Sequence, residues 1–159
     1  MNKDINKWCR ECLNCQSSKI QRHTKITPVQ IKVPKMRFQE VDIDIVGPLK
    51  PDNYGRKYLL TMIDRFSRFP EVVPIKNIEA KAVAEEFTNN WIARYGIPEK
   101  IRTDRGTQFE SRLFNEFCKM LNIDQIRITS FNPRANGMVE RFHRTLKQSL
   151  KVSGVISNF

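Results

Sequence analysis

Two short stretches decide how this chain must fold, TDRG at residues 103–106 and NGMVE at residues 136–140. Each carries one acid, and 35 residues separate Asp104 in the first from Glu140 in the second. A third acid, Asp44, lies in the apolar run VDIDIV. Because local structure cannot bridge such separations, only a tertiary fold can bring the three carboxylates together.

The surroundings of Asp44 predict a metal-dependent reaction. Its apolar run is typical of a buried strand, where a carboxylate is costly unless it is hydrogen-bonded, protonated or bound to a cation. Carboxylate oxygens are ligands for Mg²⁺ and Mn²⁺. Two such ions roughly 4 Å apart can hold both the attacking and the leaving oxygen of a phosphoryl displacement. We therefore predict a metal-dependent polynucleotidyl transferase.

Length and composition predict one domain with a short extension. The chain has 159 residues, and an apolar fraction of 40% can build a core. No apolar run reaches the roughly 18–20 residues that cross a bilayer, and residues 1–4 lead into no signal-peptide core. We expect an intracellular protein with no membrane partner.

The net charge of +11 is concentrated at the two ends of the chain. Residues 1–38 carry +7, residues 39–137 carry +1 and residues 138–159 carry +3. Basic flanks on a nearly neutral centre favour a polyanion partner, since neutralising phosphates supplies most non-specific affinity for nucleic acid. The alternative is that the charge serves solubility alone.

The hydrophobic pattern predicts an α/β fold with a mixed five-stranded sheet flanked by helices. Three closely spaced strands come first, and Pro70 and Pro74 indicate that the third lies at an edge. The predicted strands are 39–47, 57–64, 68–75, 100–103 and 125–128. The predicted helices are 80–95, 113–121 and 138–151, and residues 129–137 are predicted to form a loop.

The last predicted helix separates apolar from charged side chains. Its apolar face carries Val139, Phe142, Leu146 and Leu150. Its other side carries Glu140, His143, Arg144, Lys147 and Lys151. An acid in the first turn followed by cations could hold a phosphate backbone along the helix. An ordinary solvated face with a Glu140–Arg144 pair explains the same pattern and, taken alone, is favoured.

Three of the four cysteines lie close together near the amino end, in the pattern Cys9-x-x-Cys12-x-x-Cys15. Two thiolates three residues apart can hold one edge of a tetrahedral zinc site, which needs four ligands. A redox pair is the other specialised interpretation, but no βαβ pattern surrounds these residues. Cys118 lies in an apolar helix pattern and is predicted to be a core residue.

Four motifs together resemble the integrase core of retroviruses and gypsy-type LTR retrotransposons. They read DIVGPL at 44–49, YLLTMIDRFSR at 58–68, TDRGTQF at 103–109 and NGMVER at 136–141. The 35-residue gap between the second and third acids is that family's spacing. The resemblance covers residues 2–151.

The resemblance implies an RNase H-like fold, Mg²⁺ (or Mn²⁺) as the cofactor and two linked reactions on DNA. In the first, a water-derived nucleophile trims the 3′ ends of the element's DNA. In the second, the new 3′-hydroxyls attack target phosphodiesters. Carried over by motif, Asp44 and Asp104 would hold metal, with Asp44 bridging both ions, and Glu140 would complete the second site.

Two further acids lie close to these motifs in the sequence. By strand alternation Asp42 shares the face of Asp44 and is a candidate to support it. Asp64 is expected to pair with Arg65 or Arg68, or to cap the turn that follows it.

The resemblance also implies a flexible DNA-positioning loop at 132–137, with Gly137 as its hinge. Arg134-Ala135 stands where the family usually has Gln and a small polar residue, and Met138 replaces a common Gln, so the fine positioning of the DNA end is expected to differ. The expected DNA-binding residues are Arg134, Asn136, Arg141, His143, Arg144, Lys147 and Lys151.

The amino-terminal residues match the second half of the family's His-His-Cys-Cys zinc module. The matching residues are Trp8, Cys12, Cys15, Gln16 and Lys19. The paired histidines do not precede them in this sequence, so Cys12 and Cys15 are expected to make at most a partial Zn²⁺ site. The predicted divisions are a remnant of this module at 1–19, a basic linker at 20–38, the catalytic core at 39–151 and a tail at 152–159.

Three functions stay open at this point. The first is an integrase that acts on element ends and target DNA as a homo-oligomer, in the nucleus after an earlier cytoplasmic particle. The second is an inactive, integrase-derived remnant that binds nucleic acid. The third is an RNase H-like nuclease, which the 35-residue spacing and the TDRG context disfavour.

Overall fold

The computed structural model of the protein describes residues 2–12, 34–128 and 133–152. The chain divides into two compact units, residues 1–30 and residues 31–159. The first unit contains helix α1 (Asn2–Glu11), on which Ile5 and Trp8 are exposed. Residues 20–33 of the predicted linker and residues 153–159 of the predicted tail lie outside the described residues.

The second unit is built on a five-stranded sheet, which confirms the predicted mixed α/β fold. The strands are β1 (Glu40–Val46), β2 (Tyr58–Asp64), β3 (Pro70–Ile75), β4 (Lys100–Thr103) and β5 (Asp124–Arg127). Their order is β3-β2-β1-β4-β5. The β1–β2 and β2–β3 pairs are antiparallel, whereas β4 runs parallel to β1 and β5. The two prolines of β3 correctly indicated an edge strand.

Strand β1 is central, and its alternating side chains divide between two environments. Val41 and Ile43 belong to the main hydrophobic core. Asp42 and Asp44 face the other side of the sheet because successive side chains of a strand point to opposite faces. Apolar burial on one face thus fixes the register, and the register in turn places the acids.

Helix α2 (Ala80–Phe87) covers the core face of the sheet. It continues through a π-helical turn (Thr88–Ile92) into a last turn (Ala93–Tyr95), and Gly96 ends it with φ +88°. Two more helices follow, α3 (Thr107–Glu110) and α4 (Arg112–Met120). The largest buried side chains from these elements are Phe87, Trp91, Phe109 and Phe114.

Cys118 on α4 is buried, as predicted for a core cysteine. Burial raises the pKa of its thiol to about 11, against a smaller lowering effect of Arg127. The thiol therefore behaves as a small apolar group at neutral pH.

The last helix, α5, spans Pro133–Val152 and begins five residues earlier than predicted. The prediction of a loop with a hinge at Gly137 was wrong for residues 133–137. Proline fits the first helical position because its missing N–H has no helical partner there, and an interior glycine costs only about 1 kcal/mol. Residues 129–132 lie outside the described residues. Among the described helices, α5 included, none is long and apolar enough to cross a membrane.

Candidate active site

Asp44 and Asp104 lie at the same end of the sheet, where the carboxyl ends of the neighbouring strands β1 and β4 are side by side. These strands are parallel, with Asp42 opposite Arg102, so continuing the register by two residues brings Asp44 level with Asp104. Asp44 is half-buried, with its side chain 28% exposed. Asp104 follows β4 directly, and its Oδ1 accepts a hydrogen bond of 2.9 Å from the backbone N–H of Gly106.

The surroundings of Asp44 disfavour its ionised form. Burial is the largest cause and raises the pKa of its carboxyl to about 6. The negative charge of Asp104 raises the pKa further, whereas the Ile45 N–H, 2.7 Å from Asp44 Oδ1, and the Lys147 ammonium lower it. The raised pKa of Asp44 and the nearby charge of Asp104 indicate a site that lacks positive charge.

His143 of α5 lies against β1 and β2, beside Asp44. Its Nε2 is 2.9 Å from the Thr61 hydroxyl, which donates a 3.0 Å hydrogen bond to the backbone carbonyl of Asp44. Because the single hydroxyl proton of Thr61 is used there, His143 Nε2–H must be the donor to Thr61. His143 Nδ1 then carries a lone pair, 3.6 Å from Asp44 Oδ2.

The approach of His143 to Asp44 is not an ion pair at neutral pH. Burial lowers the pKa of His143 to about 4, and the charge of Lys147 adds to this effect. The imidazole is therefore neutral in the metal-free protein. His143 therefore contributes a hydrogen bond to Thr61 and an oriented Nδ1 lone pair to the site, and no charge.

Glu140 lies in α5 three residues before His143, and residues three apart lie on the same side of a helix. Its side chain is outside the described residues. Among the side chains that the structure describes, no group of three His, Cys, Asp or Glu is arranged to hold a metal ion. The structure thus brings together two of the three predicted acids and puts the backbone of the third on the helix beside them.

The predicted DNA-binding residues of α5 do not share one environment. Arg141 and Arg144 are exposed, as a surface that binds DNA requires. His143 and Lys147 are instead partly covered, together with Phe142. The side predicted to carry Glu140, His143, Arg144, Lys147 and Lys151 is thus divided among its described side chains, because Arg144 is exposed whereas His143 and Lys147 are partly covered. The side chains of Arg134, Asn136 and Lys151 lie outside the described residues.

The two neighbouring acids have structural partners of their own. Asp42 forms ion pairs with Arg65 and Arg102 rather than contacting Asp44, although its charge contributes to the raised pKa of Asp44. Asp64 caps the turn after β2, as one of the predicted alternatives had it. Its Oδ2 accepts hydrogen bonds from the backbone and hydroxyl of Ser67. Its Oδ1 accepts from the Phe38 N–H at 2.8 Å.

The predicted zinc ligands are only partly described. Cys12 is half-buried and forms no disulfide, while Cys15 lies outside the described residues. Zinc binding at these residues stays a prediction.

Thr61 is the site residue that the sequence analysis missed. It is a fully buried hydroxyl in the strand YLLTMID, with apolar residues on both sides of it in the sequence. A polar residue in such a strand requires a hydrogen-bond partner, and this was the available signal. The sequence held no sign that one partner would be His143, 82 residues away.

Sequence comparison finds relatives that cover most of this chain. Residues 34–133 match the family model of the integrase core domain. The chain is 35% identical over 152 residues to the retrovirus-related Pol polyprotein from transposon 412 of Drosophila melanogaster, covering 95% of this chain and 12% of that polyprotein. It is 32% identical over 148 residues to the Gag-Pol polyprotein of feline leukemia virus, covering 93% of this chain and 8% of that polyprotein. The chain therefore spans about a tenth of the length of these two relatives.

Solved structures show the same fold. The HTLV-2 integrase catalytic core domain in complex with magnesium, in its trimeric form, aligns with a TM-score of 0.60 and 24% identity, over 75% of this chain and 73% of that one. A chain of the simian T-cell lymphotropic virus intasome in complex with PP2A regulatory subunit B56 gamma aligns with a TM-score of 0.68 and 21% identity, over 96% of this chain and 53% of that one. The likeness confirms the predicted RNase H-like class.

Proposed function

This chain belongs to the integrase core family found in retroviral and transposon Pol polyproteins, and on that premise we propose that it is a polynucleotidyl transferase of DNA integration. In the proposed reaction, water first cleaves a phosphodiester near a 3′ end of the element's DNA. The freed 3′-hydroxyl then attacks a phosphodiester of target DNA. Each step exchanges one P–O bond for another, so no serine or cysteine nucleophile is required.

The observation that carries this proposal is the position of Asp44 beside Asp104. Burial, together with repulsion by Asp104, raises the pKa of Asp44 to about 6. A divalent cation would remove this penalty, and an all-oxygen set of ligands suits Mg²⁺ or Mn²⁺. The donor chemistry of the site therefore fits the metal.

We assign the metal ligands to Asp44, Asp104 and Glu140. When bound, the ions lower the pKa of the attacking water or hydroxyl and balance charge on the transferred phosphoryl group. The position of Glu140 on α5, one turn before His143, supports its inclusion.

The remaining residues of the site orient Asp44 and the DNA. The Thr61 hydroxyl donates a hydrogen bond to the backbone carbonyl of Asp44, and neutral His143 donates one to Thr61. This chain of hydrogen bonds ties α5 to the sheet at the site of reaction. It would keep the first turns of α5, and with them Glu140, close to Asp44.

DNA is the proposed partner, both as element end and as target. Exposed Arg141 and Arg144 are proposed to contact phosphates next to the acids, with Lys147 closer to the reacting group. Arg134, Asn136 and Lys151 are proposed to extend this surface along α5. Action on chromosomal DNA would take place in the nucleus. Self-association is proposed because the related HTLV-2 cores form dimers and trimers.

The test is a reaction on a branched DNA oligonucleotide that represents a joined product. The full chain would be incubated with the labelled junction in Mg²⁺ and in Mn²⁺, beside Glu140→Gln. Asp124→Asn is the matched control, because Asp124 is an exposed acid at the opposite end of β5. Strand exchange that requires metal, disappears in Glu140→Gln and persists in Asp124→Asn is the expected result.

Other outcomes would point to the two alternatives. Folded protein that binds the junction but does not react in either metal would favour an inactive nucleic-acid-binding remnant. Shortened RNA from an RNA–DNA hybrid, with no joined DNA, would favour an RNase H-like nuclease.

A further inference from the structure

The turn between β1 and β2 presents an exposed aromatic side chain. Tyr54 is 73% exposed, although tyrosine side chains are usually intermediate in burial. The guanidinium of Arg56 lies 4.9 Å from the centre of the Tyr54 ring. The ring is thus part of a cation–π pair at the surface rather than of the core.

This turn is held in place by the side chain of Asp52. Asp52 Oδ1 accepts hydrogen bonds of 2.9 Å from the backbone N–H groups of Tyr54 and Arg56. Asp52 Oδ2 pairs with the Arg56 side chain at 2.7 Å. The Gly55 N–H also donates to the Asp52 carbonyl at 2.9 Å. A ring presented from such a constrained turn loses little conformational freedom when it binds a partner.

The charge of the turn suits a polyanion. Residues 47–57 contain Lys50, Arg56 and Lys57 against Asp52 alone, a net charge of +2. Lys50 and Lys57 are both exposed. Aromatic rings between cations are the usual means by which proteins hold unpaired nucleotides, since every base has a π-face on which a ring can stack.

The turn follows β1 at the edge of the sheet where the acids lie. Asp44 is two residues from the end of β1, and Asp104 follows β4, which is parallel to β1. A cavity of about 450 Å³ is lined by the base of the turn, at Lys57, and by Gln108. Gly106 lies close to both the Gln108 amide and Asp104 Oδ1. One side of the cavity therefore lies at the base of the turn, and the other side, at Gln108, is next to the loop that carries Asp104.

We propose that Tyr54 stacks on an unpaired nucleotide of the DNA substrate while Lys50 and Lys57 contact its phosphates. This surface is separate from the phosphate contacts proposed for α5, and it rests on the proposed function only in that the substrate is DNA. Trimming a 3′ end leaves the complementary 5′ strand unpaired, so the proposed reaction itself creates a nucleotide of this kind. The turn would hold that strand next to the reacting end.

Equilibrium binding without divalent metal tests the proposal independently of catalysis. The full chain, in EDTA, would be titrated against a fluorescent junction with an unpaired 5′ tail and against a fully paired duplex of equal length. The variants are Tyr54→Ala, Tyr54→Phe and the control Phe66→Ala. Phe66 is also an exposed aromatic in a turn, 46% accessible, but its turn lies at the opposite end of β1.

We expect Tyr54→Ala to weaken binding to the tailed junction about tenfold, the size of a lost base–aromatic stack. Tyr54→Phe and Phe66→Ala should bind like the wild type, and none of the three aromatic variants should change binding to the paired duplex more than twofold. The salt dependence separates the roles of the residues. Lys50→Gln should reduce the slope of log affinity against log salt by about one, whereas Tyr54→Ala should leave it unchanged.

Two results would overturn the proposal in distinguishable ways. The first is that Tyr54→Ala binds the tailed junction with wild-type affinity and still processes DNA. This result would reject the stacking role and leave the proposed function intact. Failure of the wild type to bind either DNA would reject both.

Discussion

Asp42 of β1 lies directly opposite Arg102 of β4, and Asp42 Oδ1 is 3.5 Å from Arg102 Nε. Arg65 Nη1 is 3.2 Å from the other carboxylate oxygen, and Asp42 itself is only 3% exposed. Two residues further along the chain come Asp44, still in β1, and Asp104, directly after β4. Attraction between the first pair therefore stabilises the register that brings the second pair, which repel each other, side by side.

Removing the charge of Asp42 should destabilise the fold. Burial raises the pKa of Asp42, whereas Arg65 and Arg102 lower it, so the charge of Asp42 is itself costly. In Asp42→Asn, however, both guanidinium groups lose their buried counter-charge, and breaking a buried ion pair from one side costs about 3–5 kcal/mol. Urea denaturation should show a loss of at least about 2 kcal/mol, since Glu40 still pairs with Arg65. The exposed control Asp124→Asn should change stability by less than about 0.5 kcal/mol. Equal stability of the two variants would contradict this assignment.

Removing the charge of Asp44 should have the opposite effect on stability. Its pKa of about 6 exceeds the ordinary 3.8. Ionising this carboxyl therefore lowers the folding stability of the metal-free protein by about 3 kcal/mol at pH 7. Asp44→Asn should therefore raise the melting temperature in EDTA. In Mg²⁺ or Mn²⁺ the same variant should show no strand exchange. Mg²⁺ or Mn²⁺ should stabilise the wild type and not the variant. A variant less stable than the wild type in EDTA would contradict the prediction.

The pH dependence of stability should separate Asp44 from His143. The raised pKa of Asp44 makes stability fall as pH rises from about 4 to 6, because the folded state holds the proton more tightly. The lowered pKa of His143, about 4, makes stability rise over about the same window, up to its ordinary 6.5. The two trends offset each other in the metal-free wild type.

Each trend should appear when the other residue is replaced. Between pH 4 and 6.5 in EDTA, Asp44→Asn should gain stability as pH rises, and His143→Asn should lose it. Denaturant midpoints measured at half-unit pH intervals give both slopes. Parallel pH profiles for the two variants would show that these groups do not govern acid stability.

Two glycines near the turn after β1 provide a matched pair of substitutions. A Cβ on Gly47, whose φ is +145°, would lie 2.6 Å from Tyr58 Cδ1 and 2.8 Å from the Lys57 carbonyl oxygen. Gly55 has φ +76° and nothing within 4 Å of its Cβ position. Gly55→Ala should cost about 1 kcal/mol from backbone strain alone. Gly47→Ala should cost at least about twice as much in a denaturation measurement, and equal costs would argue against the close contact.

Gly137 tests the difference between the predicted loop and the helix found in the structure. In α5 this glycine occupies a helical position, so Gly137→Ala should stabilise the protein by about 0.5–1 kcal/mol. Calorimetric melting would measure the gain. A loss of stability would instead support the hinge that the family resemblance implied.

The elements of the core were predictable because their signals are local. The apolar runs VDIDIV and YLLTMID predicted two strands to within one or two residues, and Gly96 correctly marked a helix end. The start of α5 was missed because Asn136-Gly137 has loop character that a whole helix can override. His143 was misplaced because apolar spacing alone defined the covered face, whereas a polar residue can be covered when it finds a partner.

By itself, the sequence determined the family, the order of strands and helices, and which three acids stand at the family's spacing. Those properties follow from periodicity and from motifs that each occupy a few adjacent residues. Only the tertiary structure decided that Asp44 stands beside Asp104, that Asp42 pairs with Arg102, and that His143 reaches Thr61. Such contacts depend on strand register and on the packing of α5 against the sheet, which arise from burial summed over the whole domain. No short pattern encodes them, because each partner's position is set by residues far away in the chain.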